Sequence, residues 1–381
     1  MWCIPIILVF HLFFSQSSGH VLPDLQAKVN VLAPVIGHEH EEKMTIFRLP
    51  RTVRPIEYFL RVDTQLEPSF TFSGNVRIKV SIEASTRNIV LNVKSLNIDK
   101  VTVNNPRGFP IFNNFTLDEA NEQISIFAPE VSVRKVYDVI IEFHGILNDN
   151  MDGYYRSSYA VKDQTKWLAI TQFEATSARM AFPCFDEPGY KTPFTMELGM
   201  RPGLKALSNM DEESRTTTPD GQLVRVKFQK SEPMPTYLVA YGVTAFESYT
   251  KPNNRVRVWS REDAINDCMY IQEKGELLLK ALETYLGVNY KLKKLDIVAV
   301  PDFAAGAMEN YGLTTYRQKL VEIVDGVTTS KDIEYATSVI AHEFSHMWFG
   351  DLVTPAWWDF LWLNESFARY FQYIITSLNW H

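Results

Sequence analysis

Apolar and polar residues alternate along much of the chain from about residue 45. Val76, Ile78, Val80 and Ile82 are separated by Arg77, Lys79 and Ser81. That period of two turns one face of a strand to a core and the other to water. Ile89, Leu91 and Val93 repeat it, and Val224, Val226 and Phe228 alternate with Arg225 and Lys227. Short strands separated by turn signals predict an all-β domain, a sandwich or saddle-like assembly, over residues 45–251. The pattern changes at Pro252-Asn253-Asn254. Residues 261–286 then read as a helix stopped by Gly287, and Leu295 to Val300 as a buried strand. No internal repeat is present.

A second helical pattern carries the chemistry. Ile333, Ala336, Ile340, Phe344 and Met347 recur at spacings of three and four, a stripe expected to face the core. Thr329 or Ser330 can cap its start, Asp332 and Glu334 place negative charge in its first turn, and Gly350 is its expected end. The helix contains His342-Glu343-Phe344-Ser345-His346, in which His342 and His346 lie off the stripe. Two histidines four apart sit one turn apart on one helix face, so their imidazoles can converge on one ion. Glu343 lies about 100° round the helix, within reach of a water on that ion but outside its ligands. After eighteen intervening residues beyond His346, past Pro355, comes Glu365 on a further helix. Two imidazoles and one carboxylate are the open ligand set of a catalytic zinc ion, one per chain, rather than the closed set of a structural one. Glu343 is then the base that takes a proton from the attacking water.

Upstream stands Gly306-Ala307-Met308-Glu309-Asn310, preceded by Pro301-Asp302-Phe303. With Arg48-Leu49-Pro50, Met151-Asp152-Gly153-Tyr154-Tyr155-Arg156, Gln172-Phe173-Glu174, the stretch Phe182 to Pro188, and Trp362-Leu363-Asn364-Glu365, it resembles the aminopeptidase N family of zinc metallopeptidases, the gluzincins. The resemblance implies an α+β chain in which the β domain precedes the first part of a thermolysin-like α/β catalytic domain, residues 252–381. It also implies that His342, His346 and Glu365 hold zinc. Glu309 and Glu174 would anchor the α-amine of a peptide with a free N-terminus, a task that suits carboxylates because an ammonium donates several charge-assisted hydrogen bonds. Gly306 and Ala307 would leave room for an extended peptide to approach the backbone. Three positions depart from the family pattern. Ser366 stands where glycine is usual, Gln318 where glutamate is common, and Phe360 where an acidic residue is common.

The expectation is therefore removal of single N-terminal residues from peptides. The chain stops at His381, and the family continues through a second half of the catalytic domain with a tyrosine that stabilises the tetrahedral intermediate. No residue here takes that tyrosine's role, so a weakly active or inactive peptide-binding form is the alternative. An epoxide hydrolase with residual aminopeptidase activity is a third reading, which the N-terminus disfavours.

That N-terminus has an apolar run from Ile4 to Phe14 and small residues up to Gly19, read as a signal peptide over residues 1–19. An uncleaved signal anchor is the other reading, so membrane association stays open. Secretion or the extracellular face of the plasma membrane is expected. Residues 20–44 read as a linker, and the run His38 to Glu42 within it as solvated charge. Among 381 residues, 46% are hydrophobic and the formal net charge is −7. That is ample for two or three cores, and it argues against nucleic acid as a partner. Cys184 and Cys268 are too few for a disulfide framework, and Cys184 reads as a small buried residue. Asn114-Phe115-Thr116 is a glycosylation sequon. Asn364-Glu365-Ser366 also fits the pattern but overlaps the third ligand, so it should be buried and unmodified.

Overall fold

The computed structural model describes residues 48–111, 114–131 and 134–379. The expected signal peptide and linker lie outside the described residues. Arg48–His381 forms one compact unit.

Its first part is all β. A seven-stranded sheet runs in the order Glu212–Thr217, Val224–Phe228, Phe194–Met200, Val53–Gln65, Thr71–Ile82, Val136–Ile146 and Asn97–Asn104. Neighbours are antiparallel except Val53–Gln65 beside Phe194–Met200. Val76, Ile78, Val80 and Ile82 are fully buried, as their alternation predicts. Along Thr86–Asn92 the alternation fails, because Ile89, Val90, Leu91 and Asn92 are all buried. Val90 faces inward because the strand is covered on both sides, which a period-two reading does not anticipate. A second sheet, Lys205–Ser208, Tyr241–Thr244, Gln164–Gln172 and Gly153–Val161, delivers the chain to Glu174.

The second part is a five-stranded sheet with three helices. Its order is Glu247–Tyr249, Val256–Ser260, Leu295–Val300, Leu313–Arg317 and Ala307–Met308, with parallel pairing at the centre and antiparallel pairing at both edges. The expected boundary at 251/252 falls in the turn between the first two of these strands. Leu295–Val300 is buried along its whole length, as expected, with Asp296 the one charged residue in an otherwise apolar run. Helix α1 spans Met269–Leu286, later than the expected start at 261. Its buried stripe begins only at Ile271, and Ile265–Cys268 forms a 3₁₀ turn before it. Gly287, at φ 67°, ends it in the left-handed conformation open to glycine.

Helix α2 spans Ser330–His346, and Thr329 caps it by accepting a hydrogen bond from the Asp332 N–H. It ends four residues before Gly350, the expected stop. The Asp351 N–H donates to the His346 carbonyl at 3.0 Å and turns the chain back beneath the helix. Gly350 there has φ 145°, and a Cβ on it would meet His346 Nδ1 at 3.3 Å and Asn364 Nδ2 at 3.4 Å. Helix α3 spans Leu361–Asn379 and packs against α2 and the turn after it, where the Phe349 ring stacks on Phe367 and Phe371 at 4.7 and 5.2 Å. Among the described residues no helix is long and apolar enough to cross a membrane.

Buried polar fasteners join the β part to the catalytic part, and this fixes Glu174 relative to α2. Lys294 is wholly buried, and its Nζ donates to the carbonyls of Ser208 and Gly312 at 2.7 Å each and to Asp296 Oδ2 at 2.8 Å. Asn209 Nδ2 donates to the Leu238 and Tyr311 carbonyls. Lys191 Nζ donates to the Asp351 and Leu352 carbonyls just past α2. The Phe182 to Pro188 stretch supplies Asp186, paired with Arg179, and Glu187, which accepts from Arg48 and the Leu49 N–H. Cys184 and Cys268 are both buried free thiols.

Candidate metal centre

Helix α2 places both histidines on the face turned to α3. His346 is buried at 1% side-chain exposure and His342 is at 18%. His346 Nδ1 lies 2.9 Å from the Phe349 carbonyl oxygen. A carbonyl only accepts, so Nδ1 carries the proton and Nε2 is left with its lone pair. The two Nε2 atoms face each other at 3.1 Å. Burial holds His346 below its ordinary pKa against the pull of Glu365, so the ring is neutral. A proton or a cation must lie between two such nitrogens.

Helix α3 brings Glu365, its fifth residue, to the same point. Its Oε2 is 3.3 Å from His342 Nε2 and its Oε1 is 3.6 Å from His346 Nε2. A tetrahedral ion with bonds of about 2.0–2.1 Å has ligand-to-ligand edges of about 3.3–3.4 Å. Edges of 3.1, 3.3 and 3.6 Å bracket that value, and the donors are two imidazoles and one carboxylate, so His342, His346 and Glu365 fit zinc. Burial opposes ionisation of Glu365, but the hydrogen bond from His342 and the nearby His346 outweigh it and hold its carboxyl below the ordinary value. Asn364, the asparagine of the second sequon, is buried, whereas Asn114 is exposed on Asn114–Asp118.

The other acids predicted for the site gather here too. Oxygens of Glu309 and Glu343 and a His346 nitrogen lie within 4.8 Å of one another, as do oxygens of Glu174, Glu309 and Glu365. Glu309 is 3% exposed, and its Oε1 has no hydrogen-bond partner; Glu174 Oε1 is buried and equally unpartnered. Burial, then the charges of Glu309 and Glu365, pushes Glu174 up to about 9. Burial, then Glu365, raises Glu309 to about 7. Burial and the surrounding carboxylates lift Glu343 well above the usual range. Each of these groups is protonated more readily than in water because burial disfavours its charged form and the neighbouring carboxylates repel it.

The loop bearing Glu309 is held open. Met308 pairs with Thr315 and Ala307 with Tyr316. Arg317 closes the hairpin by donating from its N–H to the Gly306 carbonyl at 3.0 Å and from Nε to the Ala305 and Phe303 carbonyls at 2.8 and 3.1 Å. A Cβ on Gly306 would meet nothing within 4 Å, so the chain at Gly306 faces free space, while Ala307 beside it is half-buried.

Sequence reasoning missed three residues of this region. Asp351 is 1% exposed with neither carboxylate oxygen partnered, and burial followed by the Glu309 charge pushes it well above the usual range. Tyr237 is buried with an unpartnered hydroxyl, and its ring packs edge-on against Trp358 at 5.1 Å. Arg317 sits in a motif noted only for its neighbour Gln318. Tyr237 reaches the histidines only through tertiary packing, whereas Asp351, five residues past His346, is brought back by the turn at Gly350.

The arrangement is therefore a cluster of two imidazoles and four carboxylates built around one cation position, beside an open strand edge. Comparison with known proteins agrees with its class. The family model described as the Peptidase M1 N-terminal domain matches residues 54–238, and that of the Peptidase family M1 domain matches residues 270–380. The chain belongs to peptidase family M1. It is 37% identical to glutamyl aminopeptidase of Bos taurus over 337 residues, 86% of this chain and 35% of that protein. It is 37% identical to endoplasmic reticulum aminopeptidase 1 of Homo sapiens over 340 residues, 87% and 36% of the two chains. To aminopeptidase M1 of Arabidopsis thaliana it is 38% identical over 337 residues, 87% and 38% respectively. The chain spans little more than a third of the length of these relatives.

Proposed function

We propose that this chain carries the water-activating and amine-recognising part of a zinc-dependent aminopeptidase. The observation that carries the reading is the overlap of two sets of groups. The His342, His346 and Glu365 donors suit zinc, and the unpartnered carboxylates of Glu174 and Glu309 lie against them. A site that only cut peptide bonds would need the first set; the second adds a receptor for a positive charge at a fixed distance from the cut. The relatives named above are aminopeptidases, which supports the same reading.

His342, His346 and Glu365 would hold the ion. When bound, zinc supplies Lewis acidity toward water and toward a peptide carbonyl. Glu343 accepts the proton of the attacking water on its carboxylate and returns it to the departing amine. Glu309 and Glu174 receive the substrate ammonium, which supplies the positive charge that their burial calls for. The backbone around Gly306 and Ala307, kept open by Arg317, takes the extended peptide beside it. Asp351 and Tyr237 line the interior behind these groups. The substrate class is peptides with a free N-terminus, cut one residue at a time, and the place of action is outside the cell or at the extracellular face of the membrane.

The test follows release of the first residue from a free-amine peptide and its N-acetylated twin, with Glu343→Gln as control. Release from the free peptide alone, reduced roughly 10²–10⁴-fold by the control, is expected. Equal release from both peptides would overturn the amine-anchored reading.

A further inference from the structure

The carboxylates that receive the substrate amine in the reading above also make a ligand set of their own. Oxygens of Glu174, Glu309 and Glu365 lie within 4.8 Å of one another. Glu309, 3% exposed, has a buried Oε1 with no hydrogen-bond partner, 3.7 Å from His346 Nδ1, and Glu174 Oε1 is likewise buried and unpartnered. Among the described residues neither is paired with a lysine or arginine. Glu365 has an oxygen near each histidine, at 3.3 and 3.6 Å. A carboxylate offers two oxygens and about four lone-pair sites, so one such group can serve two ions. Bridged pairs of this kind lie roughly 3.5–4 Å apart.

We propose that Glu174, Glu309 and Glu365 form a second, weaker divalent-cation site beside the His342–His346–Glu365 centre. An ion there occupies the place of the peptide ammonium, so excess zinc inhibits by competing with the substrate N-terminus. This rests on the reading of the function given above, because the two sites share Glu365. An all-oxygen set binds Zn²⁺ less selectively than one with imidazoles, and it also accepts Mn²⁺. The first ion repels the second, which makes the second the weaker.

Direct titration tests this without turnover. The metal-free chain is titrated with Zn²⁺ by calorimetry and with Co²⁺ by its visible absorption, in the wild type and in Glu174→Gln, Glu309→Gln and His346→Ala. Two ions per wild-type chain are expected. Glu174→Gln should keep the first ion and weaken the second by at least the roughly 10–100-fold seen when even an outer-shell partner of a metal is lost. Glu309→Gln should do the same, which guards against misfolding of one variant. A single ion up to millimolar metal would overturn the proposal. So would a second ion untouched by both glutamine variants. No bound ion in the wild type, or a first ion retained by His346→Ala, would instead overturn the primary centre and this site with it.

Discussion

Two buried charge clusters in the catalytic part are treated in opposite ways. Around Lys294 every charge is answered. Its ammonium meets Ser208 O, Gly312 O and Asp296, and Asp296 also accepts two bonds from Arg257, at 2.6 and 2.8 Å. Around His342 and His346 the acids are left over, with Glu174 Oε1, Glu309 Oε1 and both Asp351 oxygens buried and unpartnered. A buried polar group without a partner costs about 1–3 kcal/mol, and a charged one more. A fold that satisfies Lys294 so fully has no general difficulty with buried charge. The deficit near α2 is therefore local and marks where a cation belongs: a metal ion at the histidines and an ammonium at Glu174 and Glu309.

That contrast can be broken in several ways. The largest effect should come from Glu343→Gln, which removes the proton acceptor and lowers turnover of a free-amine peptide roughly 10²–10⁴-fold while first-ion affinity, read by calorimetry, stays high. Next, Lys294→Met should destabilise by about 3–5 kcal/mol in urea unfolding, because it strips one partner from a buried charge and two carbonyls. Smaller and opposite in sign, Glu174→Gln should stabilise the metal-free chain by about 1–3 kcal/mol at pH 8, since it removes a carboxyl that burial and its neighbours disfavour in ionised form.

The pH dependence separates the clusters by sign. Glu174 is raised to about 9 when folded, so the native state keeps a proton that the unfolded chain loses near pH 4.3. Stability from this group is complete below that value and falls as pH rises toward 9. For Asp296, burial opposes ionisation, but Lys294 and Arg257 outweigh it and depress the folded value. Its contribution is present above about pH 3.9 and is lost as pH falls through the folded value. Urea midpoints of the metal-free chain across this range should decline at both ends, and Glu174→Gln should flatten only the alkaline side. Smallest of all, Thr329→Ala, remote from both clusters, should cost about 1 kcal/mol through loss of the α2 cap.

Much of this was legible in the sequence. Val76 to Ile82 carried their strand assignment in their alternation, and Leu295 to Val300 in a short apolar run. His342, Glu343 and His346 carried theirs in helical spacing, because both are local rules. Glu309 and Glu174 depended on resemblance, since the loop geometry that brings an acid from the β part against α2 is set by fasteners such as Lys294 and Asn209. Asp351 and Tyr237 were not legible at all. Their position follows from the turn beneath α2 at Gly350 and from packing against Trp358, and neither leaves a pattern along the chain. The start of α1 lies at Met269 and not at 261, because the buried stripe that anchors it begins at Ile271 and Ile265–Cys268 forms a 3₁₀ turn before it.

The central claim is that the unpartnered acids and facing imidazoles mark a cation site, and thermal unfolding with and without zinc tests it most directly. A ligand at 100 times its dissociation constant adds about 2.7 kcal/mol to the native state. The wild-type chain should melt several degrees higher with zinc, and His346→Ala should show no such rise. An unchanged melting temperature in the wild type, or an equal rise in the variant, would contradict the account.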